Sequence, residues 1–277
     1  MPLTPSDQQL IEPLRALGFA AEAAIWSGPT VRWSDFAAVV IRSSWDYHHR
    51  VEEFRAWADH VEASGTPLIN PARTVRWNSS KTYLLELEAR GVPIPPTAVV
   101  PRGATWETTV AALATLPPSR EIVVKPAVSA SAHSTWRAAL PASPGTIARI
   151  ASMALSNAVI LQPFLDTIVE SGELSLVFFD GVFSHSARKR PKPGDFRVQT
   201  EHGGKTEIVD VPDEIVTAAG QALRHAPAVP TYARVDGVVL DGVFTLMEME
   251  LIEPELFMVQ VPYGARRFAE AIGRAAG

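Results

Sequence analysis

The strongest constraint in this chain is a pair of segments near its C-terminal end, Arg234-Val235-Asp236 and Glu248-Met249-Glu250. The runs that carry them, ARVDGVVL and VFTLMEMEL, flank Asp241-Gly242, a dipeptide suited to the tight turn of a β-hairpin. Side chains alternate along a strand, so Glu248 and Glu250 share one face and Met249 takes the other. Asp236 reaches the same face from the neighbouring strand, with Arg234 beside it. Three carboxylates placed together repel one another and resist desolvation unless a cation pairs them. Oxygen-only donors select a hard cation, Mg2+ or Mn2+, which usually serves a phosphate-bearing substrate. An acidic rim, extended by Glu253 and Glu255, is the competing reading.

With 277 residues, 47% hydrophobic and 20% charged, the chain can bury a substantial core and hold two or three lobes. A net charge of -5 gives no electrostatic basis for binding nucleic acid or a membrane surface. No apolar run approaches the ~20 residues of a bilayer span, and MPLTPSDQQL does not read as a signal peptide. A cytoplasmic location is therefore expected. Cysteine is absent, which excludes disulfides, thiolate metal sites and cysteine nucleophiles.

The first ~75 residues read as a small α/β unit. A helix is expected over Gln8–Leu17, stopped by Gly18, then a strand near Ala23–Trp26 and a buried strand Phe36–Ile41. The last strand delivers Arg42, Ser43, Ser44, Trp45, Asp46 and Tyr47 at its carboxyl end, where open α/β sheets bind ligands. A helix over Glu52–Ala63 follows. Such a unit normally opens with a strand before its first helix, and none is legible here. Asn78 or Ser79 can cap a helix running to Arg90. Ile122–Lys125 and Val159–Gln162 read as strands, and Glu173–Asp180 with Val182–Ser186 as a hairpin around Asp180-Gly181. Ala187–Arg197 reads as a basic, proline-containing loop.

Several side chains invite phosphate chemistry. Lys125 ends a buried strand beside the small-residue run Ser129–Thr135, where a cation and backbone amides can meet phosphate oxygens; a snorkelling lysine is the bland alternative. Lys189, Arg190, Lys192 and Arg197 form either a lid over a polyphosphate or a solvated basic loop. Arg42 and Asp46 are either substrate contacts or an ordinary ion pair.

Taken in order, these residues resemble the ATP-grasp superfamily of carboxylate–amine ligases. Arg234-Val235-Asp236 and Leu246-Met247-Glu248-Met249-Glu250 look like the metal-binding strands of D-alanine–D-alanine ligases. Those enzymes carry Asn at the position of Glu250, so this chain adds a negative charge. Gln162-Pro163-Phe164-Leu165 resembles the hinge that clamps adenine, and Glu173 the acid that holds the ribose. Lys81 and Lys125 match the two phosphate-binding lysines, and Lys189 a third found in some members. The phosphate loop departs from the usual pattern by lacking glycine, which should stiffen it. R-S-S-W-D-Y, W-N-x-x-K-x-Y-L and K-R-P-K-P-G-D-F-R are similar to the subgroup that closes or couples amino-acid derivatives, the cycloserine-forming type included.

The resemblance implies an α/β (α+β) ATP-grasp fold, with a pre-ATP-grasp lobe over 1–75 and ATP-grasp lobes over 76–164 and 165–277. It implies an ADP-forming ligase that activates a small carboxylate as an acyl-phosphate for attack by an amine. Mg2+ or Mn2+ would be held by Asp236, Glu248 and Glu250. Arg197 and Arg234 would stabilise the γ-phosphate and the oxyanion, and Arg42, Ser43, Ser44, Asp46 and Glu253 would read the substrate. A small-molecule kinase and a nucleotide-binding module without turnover are the alternatives. The carboxylate, the amine, inter- versus intramolecular reaction, the metal count and a homodimer stay open.

Overall fold

The computed structural model describes residues 3–277. Its N-terminal part contains α1 (Pro5–Gln8), α2 (Ile11–Ala16), β1 (Val39–Val40), α3 (Val51–Ala63) and β2 (Leu68–Ile69). Thr4 caps α1 by accepting from the Asp7 amide, and Pro5 occupies the first turn, where no amide is missed. The single helix expected over Gln8–Leu17 is split, because Pro13 has no N–H to return to residue 9. Gly18 ends α2 with φ at 86°, letting the Phe19 amide bond the Leu14 carbonyl at 3.0 Å.

The strand expected near Ala23–Trp26 is not formed; Ala21–Ile25 is exposed and irregular. Phe36–Ile41 contributes only Val39 and Val40, which pair in parallel with Leu68 and Ile69. Apolar sequence makes a strand possible, but a backbone partner is what realises it.

The middle of the chain supplies α4 (Ala72–Asn78), α5 (Tyr83–Ala89), β3 (Ala98–Val100), α6 (Trp106–Ala114), β4 (Glu121–Pro126), β5 (Trp136–Ala139), α7 (Pro144–Ala154) and β6 (Val159–Pro163). Their sheet has the order β3-β6-β4-β5. Val100, Ile122, Val124, Ile150 and Leu161 form its buried side. Along β4, Ile122 and Val124 are buried while Val123 and Lys125 take the opposite face. The helix expected from a cap at Asn78 or Ser79 to Arg90 starts only at Tyr83; Asn78 instead ends α4, and the Ser79–Thr82 connection carries Lys81.

The last part holds α8 (Thr167–Glu170), β7 (Glu173–Phe179), β8 (Val182–Arg190), β9 (Lys205–Ile208), α9 (Asp213–Leu223), β10 (Tyr232–Leu240), β11 (Val243–Glu250) and α10 (Pro262–Ala276). Five strands form one sheet in the order β11-β10-β7-β8-β9. Both expected hairpins form, with positive φ at Asp180, Gly181, Asp241 and Gly242. The basic segment begins as strand rather than loop: β8 continues to Arg190, and Lys189 pairs with Glu173 across the ladder.

Alternation decides where the cleft lies. Ala233 and Val235 of β10 face a core shared with α5 and α9. Tyr232 packs under α10 against Phe268. The same face continues as Arg234 and Asp236, so α10 covers one part of the sheet and leaves the charged part open.

Candidate active site

A cleft of about 670 Å³ lies between the four-stranded and five-stranded sheets, joined by the Pro163–Glu173 segment. Lys81, Lys125, Gln162, Glu173, Lys189, Arg197, Arg234, Glu248, Glu250 and Glu253 all line it. These were separate sequence expectations, and the fold brings them onto one surface.

The acidic hairpin has the expected register: Arg234 lies opposite Glu250 and Asp236 opposite Glu248. The carboxylates are nevertheless not gathered around a shared point. Asp236 is nearly fully buried and accepts from Ser175 at 2.6 Å, Arg234 at 2.9 Å and Lys189 at 3.0 Å. Against the cost of burial, Arg234 and Lys189 hold its carboxyl well below the usual range. Glu250 pairs with Arg234, and Glu248 with Lys81 at 3.1 Å. Among the described residues, no cluster of three or more His, Asp or Glu groups stands at metal-ligating spacing. Of these three acids, Glu248 and Glu250 line the cleft, whereas Asp236 lies behind it, enclosed by Arg234, Lys189 and Ser175.

Glu250 is pushed up to about 7, chiefly by burial and then by Asp236 and Glu248, although Arg234 opposes this. Glu253 is pushed up to about 8 by burial and by Glu250. Glu173, the expected ribose acid, pairs with Lys189 at 2.6 Å. Lys189 is therefore shared between Glu173 and Asp236, and those two acids keep its ammonium charged despite burial.

Lys81 and Lys125 differ. The Lys81 ammonium donates to the Ser129 carbonyl at 2.7 Å as well as to Glu248. Lys125 makes no ion pair or hydrogen bond among the described residues, and burial lowers its pKa. The glycine-free loop beside them uses left-handed backbone at Ser131, Ala132 and Ser134, with φ of 50–56°. Conformations that favour glycine are thus held here by L-residues, at roughly 1–2 kcal/mol each. His202 reaches the Ser131 carbonyl from the loop after β8 at 3.4 Å.

The hinge is only partly as expected. Gln162 is buried, donates to Thr97 at 2.9 Å and lines the cleft. Phe164 does not line it: its amide donates to the Glu121 carbonyl at 2.9 Å, and its ring lies under the Arg137 guanidinium. The hinge residue Leu165, with Val123, Ile168 and Met247, which sequence reading did not assign to the site, supplies an apolar wall.

Four expected substrate residues lie elsewhere. Arg42 is buried and bonds Asp7 at 2.7 Å and the Pro254 carbonyl at 2.5 Å. Ser43 also donates to Asp7, and Asp46 accepts from the Trp26 indole and Arg50. Arg42, Ser43, Ser44 and Asp46 border a separate, largely apolar cavity of about 400 Å³. Trp45 and Tyr47 from the same segment do reach the cleft.

Asn78, expected only as a helix cap, and Tyr83 were not identified from sequence as residues that build the site. β11 is an edge strand, and Asn78 bonds the Met249 carbonyl and Leu251 amide while Tyr83 bonds the Met249 amide and carbonyl. The edge is thereby covered and Lys81, lying between them, is fixed against Glu248. Their W-N-x-x-K-x-Y spacing was the available signal.

A two-sheet clamp with Lys125 on one wall and the acids of β7 and β11 on the other is the arrangement of an ATP-grasp enzyme. A family model for the N-terminal domain of the D-cycloserine synthetase DcsG matches residues 1–70. The cycloserine biosynthesis protein DcsG of Streptomyces lavendulae is 38% identical, covering 95% of this chain and 91% of that protein. The crystal structure of D-cycloserine synthetase DcsG superposes with a TM-score of 0.88 at 34% identity, covering 98% of this chain and 94% of that one. The ATP-grasp ligase PsnB, solved with its minimal precursor, has a TM-score of 0.69 at 16% identity, covering 100% and 97%, a likeness of fold alone. The chain belongs to the DcsG family of ATP-grasp ligases. It is an ATP-dependent enzyme. No helix among the described residues is long and apolar enough to cross a membrane.

Proposed function

We propose that this enzyme activates the carboxylate of a small amino-acid derivative with ATP and closes it onto an amine of the same molecule, releasing ADP and phosphate. The supporting observation is the opposition, across one cleft, of Lys81 and Lys125 to Glu248 and Glu250. Ring closure is favoured over coupling of two molecules because the relatives are named for cycloserine synthesis. The division at 1–75, 76–164 and 165–277 is part of the same proposal, the last two lobes closing on ATP, in a cytoplasmic setting.

Adenine would lie against Val123, Leu165, Ile168 and Met247, with Gln162 at its polar edge and Glu173 toward the ribose. Lys125, having no partner among the described residues, would take a phosphate oxygen, with Lys81 beside it. Oxygen donors Glu248 and Glu250 fit a hard divalent cation, Mg2+ or Mn2+, because extra positive charge relieves their crowding. Such an ion, when bound, neutralises charge on the phosphates. Asp236 would act behind them by holding Arg234 and Lys189 in place. Arg234 and the loop residue Arg197 would stabilise the phosphoryl group and the tetrahedral oxyanion. The loop over Pro191–Gly204 would exclude water from the acyl-phosphate.

Incubating the enzyme and ATP with a panel of amino-acid derivatives bearing both a carboxylate and a free amine tests this reading. ADP release matched by loss of both groups within one molecule is expected. A stable phosphorylated product would identify a kinase instead, and a panel without turnover a nucleotide-binding module. Lys125→Met should weaken ATP binding roughly 10- to 100-fold, the scale of one charge-assisted hydrogen bond. Unchanged nucleotide affinity by calorimetry would remove Lys125 from the phosphate site.

A further inference from the structure

Among the described residues, the buried charges lining the cleft are paired with two exceptions. Glu173 has Lys189, Glu248 has Lys81 and Glu250 has Arg234. Glu255 accepts from the Ser6 hydroxyl and the Phe257 amide, both at 2.6 Å. The exceptions are Lys125, the cation suited to a phosphate, and Glu253. Glu253 is 8% exposed, lines the cleft, and makes neither an ion pair nor a side-chain hydrogen bond among the described residues.

Its backbone cannot readily swing that carboxyl into solvent. The Leu251 amide is held by Asn78 at 2.8 Å, the Ile252 carbonyl by the Tyr232 hydroxyl at 2.6 Å and the Pro254 carbonyl by Arg42 at 2.5 Å. Three side chains from distant parts of the chain thus fix the residues around it. A carboxyl held in a buried position without a donor is costly, and a desolvated cation of matching size removes that cost. Arg42 does not supply it, because that guanidinium is directed to Asp7 and Pro254.

We propose that Glu253 receives an ammonium group of the substrate and thereby restricts this enzyme to carboxylates that also carry a protonated nitrogen. The inference rests on the ligase reading above and deepens it by naming the substrate class. Of the expected substrate residues it keeps Glu253 and sets aside Arg42. A substrate carboxylate read by Arg42 would have to compete with Asp7, and the unpartnered Nη1 of that guanidinium is itself buried, whereas an ammonium finds an unpaired, preorganised acid. Trp45 and Phe257 line the same cleft and help keep water from the pair.

The test compares a substrate from the ADP-release panel that carries an α-amino group in addition to the attacking amine with its α-hydroxy counterpart, which keeps that attacking amine. The wild-type enzyme should prefer the amino compound by on the order of 10²-fold in kcat/KM, the scale of one buried charge pair. In Glu253→Gln the KM for the amino compound should rise at least tenfold, kcat should change less, and the preference should collapse to within a few-fold. ATP affinity and Tm should stay near wild type, and Glu253→Asp should recover part of the preference. Retention of the full preference in Glu253→Gln overturns the proposal, as does equal use of both compounds by the wild type. Those outcomes leave the ligase reading standing. Absence of ADP release from the wild type with every compound overturns that reading and the ammonium site together.

Discussion

Glu248→Gln should reduce metal-dependent ADP release by on the order of 10²–10³-fold while leaving the protein folded. The substitution keeps the shape of the side chain and removes the charge, so it addresses electrostatics rather than packing. Glu248 faces the cleft, and Lys81 with Lys125 keeps its carboxyl ionised against the cost of burial. Its side chain is 30% exposed, so the lost ion pair with Lys81 should lower Tm by only a few degrees. Lys81 keeps its bond to the Ser129 carbonyl in the variant. Full turnover by Glu248→Gln would exclude the residue from the metal end of the site.

Asp7→Ala should have its large effect on stability instead. The Arg42–Asp7 pair is buried, with 7% and 2% of the two side chains exposed. Removing the acid strands a guanidinium in the interior, a change that typically costs about 3–5 kcal/mol. In a chain of this size the expected fall in Tm is roughly 6–20 °C. Substrate KM in the protein that remains folded should be close to wild type. Had Arg42 read the substrate directly, Arg42→Met would raise KM and leave Tm almost unchanged. Thermal melts and initial rates on both variants separate the two roles, and an unaltered Tm for Asp7→Ala would return Arg42 to the list of substrate residues.

The misplacement of Arg42 shows where sequence reasoning stops. Its partner lies 35 residues upstream in a helix of four residues, and no periodicity links the two. The Arg42–Tyr47 segment was legible as a loop at a strand end, yet its side chains divide between two cavities. Lys189 was legible as a cation near the phosphate site but not as a strand residue. An Ala-Arg-Lys-Arg sequence looks solvated until Glu173 and Asp236 are placed opposite it. Phe164 failed for a related reason: the hinge motif was visible, but the Glu121 carbonyl that takes its amide belongs to another strand. The late start of α5 was hidden because Asn78 and Ser79 read locally as helix caps. Bonds from Asn78 and Tyr83 to β11 override that signal.

By itself the sequence determined the two hairpins, the shared face of Arg234, Asp236, Glu248 and Glu250, and the strand-end position of Lys125. These follow from turn chemistry and two-residue alternation, which act over a few neighbours. Only the tertiary structure decided which charges are neutralised within the protein and which are left for a ligand. Asp236 is enclosed by Arg234, Lys189 and Ser175, whereas Glu253 and Lys125 are not paired among the described residues. Burial and charge pairing depend on groups that are distant in the chain and adjacent in space, and that information is absent from any local pattern.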